Sequence, residues 1–354
     1  MRVNRREFVK NTVTASLGLA ASGLAATERK SETKHDKDLI WANLLHLSYN
    51  MWEDRPEPKR EERYYRPFLR FDENLWNDLL KKMADSGLNM VVIDLGDGVK
   101  YESHPEIAVQ NAWSVSKLKN ELKKIRALGL EPIPKLNFST AHDTWLGEYA
   151  QRVSTEKYYS VCRDLLSEVV EIFDQPRFFH LGMDEETHEH QRYYSISIVR
   201  QFEIWWHDLY FLIDVLKSHN VRPWMWSDYI WHHRSAFFTK MPKTVLQSNW
   251  YYGTKFKDKE GEDRKYVTIY NDLDDHGYDQ IPTGSNWSHP ENFGMMVEYC
   301  RKYIHPEHLL GFLQTPWKPT LEKFREHHYQ AIEQVKKARK KYKYSVKGFM
   351  TWLF

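Results

Sequence analysis

From residue 38 onward, short apolar runs alternate with stretches in which apolar residues recur every three or four positions. The runs at 39–47, 89–95, 131–137, 177–183, 222–227, 244–249, 280–286 and 309–315 read as strands. Between the first of them, Asp72 opens a helix carrying Leu75, Leu79 and Met83 on one face and ending at Gly87, and Ser114 or Ser116 opens another carrying Leu118, Leu122 and Ile125. Further helices are predicted over 156–173, 195–219, 293–303 and 321–341, while the sixth unit, around 255–279, is the least regular. Repeated strand, loop and helix predict an α/β fold, a single (β/α)8 TIM barrel over 39–354. A ninth apolar run at 347–354 (KGFMTWLF) competes for a place in that count, as an extra terminal strand or as a substitute for one of the eight.

The segment before residue 39 has a different pattern. Asn4-Arg5-Arg6-Glu7-Phe8-Val9-Lys10 leads into a charge-free, weakly apolar run over 11–26, which resembles a twin-arginine export signal with cleavage near Ala25. That run is short for a membrane span. Residues 27–38 (TERKSETKHDKD) are charged and nearly devoid of apolar side chains, as in a flexible spacer. The leader predicts a twin-arginine translocase as partner during export, a periplasmic or secreted location and a mature form without a membrane span. Cys162 and Cys300, both in helical segments, read as buried small hydrophobes and not as a disulfide framework.

Charge adds little. Against 49 acids stand 51 lysines and arginines, and the formal net charge of +2 provides no field for nucleic acid. The basic run 336–341 belongs to the outer face of the last helix. Fourteen tryptophans are the anomaly; core packing must account for most of them, and any surplus suits the walls of a ligand site. Trp41, Trp76, Trp205, Trp206 and Trp352 are assigned to packing.

In a (β/α)8 barrel the chemistry sits at the C-terminal ends of the strands. Those positions here are acids and aromatics: Asp94 and Asp97 after the second strand, His142 and Asp143 after the third, and Asp184-Glu185-Glu186 after the fourth. Trp226 and Asp228 follow the fifth, Trp250, Tyr251 and Tyr252 the sixth, Trp287 the seventh and Trp317 the eighth. Carboxylates ringed by flat apolar walls suit a sugar whose transition state carries oxocarbenium character. His180 reads either as a hydrogen-bonded interior histidine or as a substrate contact, and Asp228 either as a ligand or as a helix cap. His142 and Asp143 fall in a loop, where solvated surface is the default.

The segment His180-Leu181-Gly182-Met183-Asp184-Glu185 resembles the His-x-Gly-Gly-Asp-Glu signature of family 20 glycoside hydrolases, the β-N-acetylhexosaminidases, and residues 134–142 (PKLNFSTAH) are similar to that family's third-strand segment. The resemblance implies a hydrolase that needs no cofactor or metal and removes a hexosamine-type sugar from a glycan by substrate-assisted retaining hydrolysis, and the leader adds that it is exported. It implies Glu185 as general acid, Asp184 as the carboxylate that orients the acetamido group, and His180 and His142 as supporting hydrogen-bonders. Tyr251 or Tyr252 would bind the acetamido oxygen, and Trp226, Trp250, Trp287 and Trp317 would form the cage. Joint ionisation of Asp184 and Glu185 is disfavoured, which would keep a proton available on one of them. The chain departs from the pattern at Met183, which replaces the second glycine, and at Thr315-Pro316-Trp317-Lys318, where Trp-x-Glu is expected; the small α/β domain that usually precedes the family's barrel has no counterpart.

Other readings are a conventional pair of Glu185 with Asp97 or Asp228, a non-catalytic glycan-binding barrel, and metal-assisted chemistry at His180, Asp184, Glu186, His188, Glu189 and His190. For the last, His188-Glu189-His190 lacks the spacing that puts two ligands on one helical face.

Overall fold

The structure, a computed structural model, describes residues 39–56, 58–258 and 261–350. The export signal, the spacer, Trp352 and the end of the run 347–354 lie outside the described residues. Among the described residues, eight parallel strands form one sheet: β1 (Ile40–His46), β2 (Met90–Asp94), β3 (Glu131–Lys135), β4 (Phe178–His180), β5 (Arg222–Trp226), β6 (Leu246–Ser248), β7 (Thr283–Gly284) and β8 (Gly311–Gln314). Their order is β6-β5-β4-β3-β2-β1-β8-β7. Bridges Gln247–Gln280 and Trp250–Thr283 join β6 to the β7 segment and close the ring. The fold is a (β/α)8 TIM barrel.

Each strand leads into a helix: α1 (Glu73–Asp85), α2 (Val115–Ala127), α3 (Glu156–Ile172), α4 (Glu203–Ser218), α5 (Ile230–Lys240), α6 (Arg264–Asp275), α7 (Asn292–Tyr303) and α8 (Arg325–Met350). Caps fix where the first three begin. The side chains of Asp72, Ser114 and Thr155 accept hydrogen bonds from the amides of Leu75, Lys117 and Tyr158. Trp41, Trp76, Trp205, Trp206 and both cysteines are buried, as their positions predict.

Two expectations are corrected. The helix predicted from 195 begins at Glu203, because Arg200 is drawn down into the barrel top by Glu186 and Asp208 and holds 195–202 in an irregular loop. The backbone at 347–350 is not a ninth strand, since α8 runs through it to Met350. No helix among the described residues is long and apolar enough to cross a membrane.

The barrel interior holds a charge pair. Lys135 Nζ lies 2.6 Å from Asp94 Oδ2, with His46 Nδ1 3.2 Å from the same oxygen, and all three side chains are buried. Burial alone would raise the Asp94 carboxyl, but Lys135 and His46 outweigh it and hold it down at about 2. The pair's contribution to stability is therefore present above the unfolded carboxylate's pKa and is lost as pH falls through about 2. Lys135→Met leaves that carboxylate buried and uncompensated, and the expected cost is about 3–5 kcal/mol in urea denaturation at neutral pH, partly recovered by adding Asp94→Asn.

Candidate active site

The turn after β4 is built on left-handed backbone. Gly182, Met183 and Glu185 have φ of 72°, 72° and 55°. A methionine in this region is uncommon, and Met183 is held there by burial and by a contact from Arg200 Nη2 to its sulfur at 3.8 Å. The result aims Asp184 and Glu185 from adjacent positions toward the barrel mouth.

Asn137, just beyond β3, locks this turn. Its Nδ2 donates to Asp184 Oδ1 at 2.8 Å, and its Oδ1 accepts from the amides of Met183 and Ser139 at 3.1 and 3.0 Å. The Ser139 hydroxyl donates to the Asp184 carbonyl. Across the turn, Asp228 Oδ2 accepts from the Glu185 amide at 2.8 Å. Arg200 clamps Glu186 through Nε at 2.9 Å and Nη2 at 2.6 Å, and reaches Asp208 and the Phe138 carbonyl. Glu186 is thus ion-paired by Arg200 within the turn.

His142 stands between the two acids. Its Nε2 lies 3.3 Å from both Asp184 Oδ2 and Glu185 Oε2, while His190 Nε2 lies 3.3 Å from Glu185 Oε1. Both His142 and Asp143 are buried, contrary to the solvated loop expected of them, because the chain folds inward over the barrel after β3 and Trp52 packs edge-on against the His142 ring at 4.8 Å.

The charges settle differently from the mutual effect expected of neighbouring carboxylates. Burial alone would lower His142, but Asp184 and then Glu185 outweigh it and raise it to about 10. For Glu185, burial works upward, yet hydrogen bonds and charge from His142 and His190 hold the carboxyl well below its usual range. The site's proton resides on His142. A second proton is held by Asp228, which burial, followed by the charges of Asp184 and Glu185, raises to about 7.

Asp228 gives a pH signature. An ordinary aspartate titrates near ~4, so between there and about 7 the unfolded chain has lost a proton that folded Asp228 keeps. Its contribution to stability is present below that lower value and lost as pH rises through the folded one. The Tm of the wild type is expected to fall relative to that of Asp228→Asn between those values, which thermal melts in a pH series check.

A cavity of about 820 Å³ opens beside Glu185 and Asp228, within the range of small-molecule sites. Trp250, Tyr251 and Tyr252 line it. Tyr252 stacks on Trp250 with ring centroids 5.0 Å apart and accepts from Trp317 Nε1 at 2.9 Å, whereas the Tyr251 hydroxyl accepts from the Lys255 amide at 3.2 Å. Trp226 and Trp317 are buried next to one another, 6.0 Å between centroids. Trp287 is at the surface, flanked by Arg63 and Lys318 at 5.1 and 4.8 Å from its ring.

Two predicted residues serve elsewhere. His180 is an interior histidine, accepting the Gly182 amide at Nδ1 and lying against Trp226, and burial followed by the charge of Lys135 lowers it well below its ordinary value. Asp97 spends both oxygens on Ser48 and Asn50, at 2.5 and 3.0 Å, tying the loops after β1 and β2 together. Nor do the donors of the metal-assisted reading converge. Glu189 pairs with Arg192 and Glu186 with Arg200, although ligand atoms of His142, Asp184 and Glu185 lie within 4.8 Å of one another and could hold a cation. Sequence reasoning missed Trp52, Asn137 and Arg200. The first two are legible as residues just beyond strand ends; Arg200 carries no such mark.

No protein-family model matches the chain, and no curated protein does. Solved structures do. The exo-β-N-acetylglucosaminidase of Vibrio harveyi, in complex with N-acetylglucosamine, superposes with a TM-score of 0.56 at 12% identity over 84% of this chain and 54% of that one. Dispersin B gives 0.54 at 13% over 84% and 98%, and the Streptomyces plicatus β-hexosaminidase, in complex with the product N-acetylglucosamine, gives 0.56 at 11% over 85% and 63%. The fold resembles that of family 20 glycoside hydrolases. The chain spans little more than half the length of the Vibrio harveyi enzyme.

Proposed function

We propose that the chain is a glycoside hydrolase that removes a β-linked N-acetylhexosamine by substrate-assisted retaining hydrolysis, and that it works outside the cytoplasm after export through the twin-arginine translocase. The observation that carries this reading is His142 lying 3.3 Å from both Asp184 and Glu185, with Glu185 opening onto an aromatic-lined cavity.

Bound sugar excludes water, which favours the neutral form of the His142–Glu185 pair over its ion pair, so the proton passes to Glu185 and then to the glycosidic oxygen. As the C1–O bond breaks, the acetamido oxygen bonds to C1. The positive charge that appears on the resulting oxazolinium replaces the one leaving His142, and Asp184 stabilises each in turn. Water then attacks C1 from the leaving-group side, returning its proton through Glu185 to His142.

The test is turnover of aryl β-N-acetylglucosaminide beside aryl β-glucoside by the full chain. Expected is a large preference for the N-acetylated sugar, with Asp184→Asn lowering its kcat about 10²–10³-fold. Equal turnover of the two sugars would sink substrate assistance. The position of Asp228 on the cavity wall beside Glu185 favours a conventional carboxylate pair as second reading; loss of turnover in Asp228→Asn with Asp184→Asn active would select it.

A further inference from the structure

We infer that a second, smaller cavity, where the loops after β1, β3 and β4 meet, binds a short-chain primary ammonium ion through Asp143. The site does not depend on the hydrolase reading. Its volume is about 220 Å³, below the usual range of small-molecule sites, so the ligand has few heavy atoms. Asp54 and Tyr65 from the first loop, Asp143 and Thr144 from the second and Tyr194 from the third line it, and it shares no residue with the cavity beside Glu185.

Asp143 is 3% exposed and takes no part in the proposed chemistry, yet its Oδ2 has no hydrogen-bond partner. The hydroxyl of Thr144, next to it in sequence, has none either. Buried polar atoms are nearly always paired, so two orphans on one cavity wall point to a ligand. Its sign follows from the charges around Asp143. Arg200 is the cation that acts on this carboxyl most strongly, but it already pairs with Glu186 at 2.6 Å and Asp208 at 3.1 Å, with all three side chains buried. One guanidinium facing two carboxylates has no positive charge left for a third. Asp54 adds another acid, its Oδ1 accepting from the Ser195 amide at 2.7 Å, and among the described residues none that line the cavity is basic. Burial accordingly pushes the Asp143 carboxyl well above its ordinary range. A bound ammonium supplies a donor and a counter-charge together, and the carboxyl releases its proton to solvent as the ion pair forms.

Two features select an organic cation over a metal ion. Among the described residues, the cavity's acids do not join a cluster of three histidine, cysteine or carboxylate donors, as His142, Asp184 and Glu185 do elsewhere. Ile196 and Ile198 complete the wall; they add nothing to a metal's coordination but cover the methylene groups of an alkyl chain. A primary ammonium also has three N–H donors, enough for Asp143, Asp54 and the Thr144 hydroxyl.

The experiment titrates the full chain with propylammonium chloride by isothermal calorimetry, beside 1-propanol as the uncharged probe and calcium chloride as the metal probe. Expected is one propylammonium per chain, bound about tenfold or more tightly than 1-propanol and not displaced by calcium. Its binding releases a proton, read as a heat that changes with the buffer. Asp143→Asn matches the protonated carboxyl in size and charge, so it should keep the wild-type Tm without ligand, lose about tenfold or more in affinity and release no proton. No saturable binding at millimolar propylammonium, equal binding of 1-propanol, or an Asp143→Asn variant that binds as the wild type does would overturn the site. Calcium binding that disappears in Asp143→Asn would overturn the ammonium in favour of a metal. If Asp143→Asn does not fold, Asp54→Asn, which keeps the acceptor for the Ser195 amide, decides in its place: a fall in affinity supports the site and an unchanged affinity overturns it.

Discussion

Glu185→Gln is expected to lower kcat/KM on alkyl and oligosaccharide leaving groups about 10²–10⁴-fold, and on activated aryl leaving groups far less. The substitution keeps the size of the side chain and the hydrogen bond from the backbone amide to Asp228, yet removes the carboxylate that, in the proposed mechanism, takes the proton from His142 at 3.3 Å and faces the cavity. Only a poor leaving group needs that proton, so the ratio between substrate classes is the diagnostic. The variant also removes the carboxylate charge that helps raise His142, so part of the proton's hold at the site goes with it. A uniform loss across leaving groups would mean that Glu185 acts as an electrostatic partner and that the proton comes from another group on the cavity wall, for which Asp228, raised to about 7, is a candidate.

The barrel was legible because each strand is a buried apolar run and most helices carry an amphipathic stripe, signals that depend on local sequence. All eight strands fall inside the predicted runs and end before them, as at β4, where the run to 183 stops pairing at His180 and turns left-handed. That early stop frees Asp184 and Glu185 from the sheet. Their position at the mouth was readable from the strand end. The charge state of Glu185 was not, since it depends on His142 arriving from the loop after β3, a contact 43 residues away in sequence that no periodicity encodes. Arg200 was misplaced for the same reason: its neighbours have helical spacing, but a buried ion pair with Glu186 outweighs the propensity of the segment. Trp287, counted with the cage for its strand-end position, stands instead between Arg63 and Lys318 at the surface, because the loops that carry those cations meet there.

Gly182→Ala is expected to be strongly damaging. A Cβ at this position would fall 1.9 Å from Asn137 Oδ1 and 2.2 Å from its Cγ, and the φ of 72° would be strained for alanine even in open space. Left-handed backbone costs about 1–2 kcal/mol and overpacking typically about 1–3 kcal/mol. Relief by moving Asn137 would break its bonds to Asp184, Met183 and Ser139, each worth about 1 kcal/mol. The first course comes to about 2–5 kcal/mol and the second to about 4–5 kcal/mol, a large part of a domain's stability. The two courses have different signatures. If the backbone yields, denaturation midpoints fall while the surviving folded fraction keeps its kinetics. If Asn137 yields, Asp184 loses its 2.8 Å anchor and, under the proposed mechanism, in which Asp184 meets a developing positive charge without reorganising, kcat falls even where the protein remains folded. The second outcome is expected, since a side-chain amide moves more readily than two packed strand ends. Asn137→Ala should therefore reproduce the fall in kcat with a smaller loss of stability. Full activity in both variants would mean that Asp184 keeps its orientation through His142 alone.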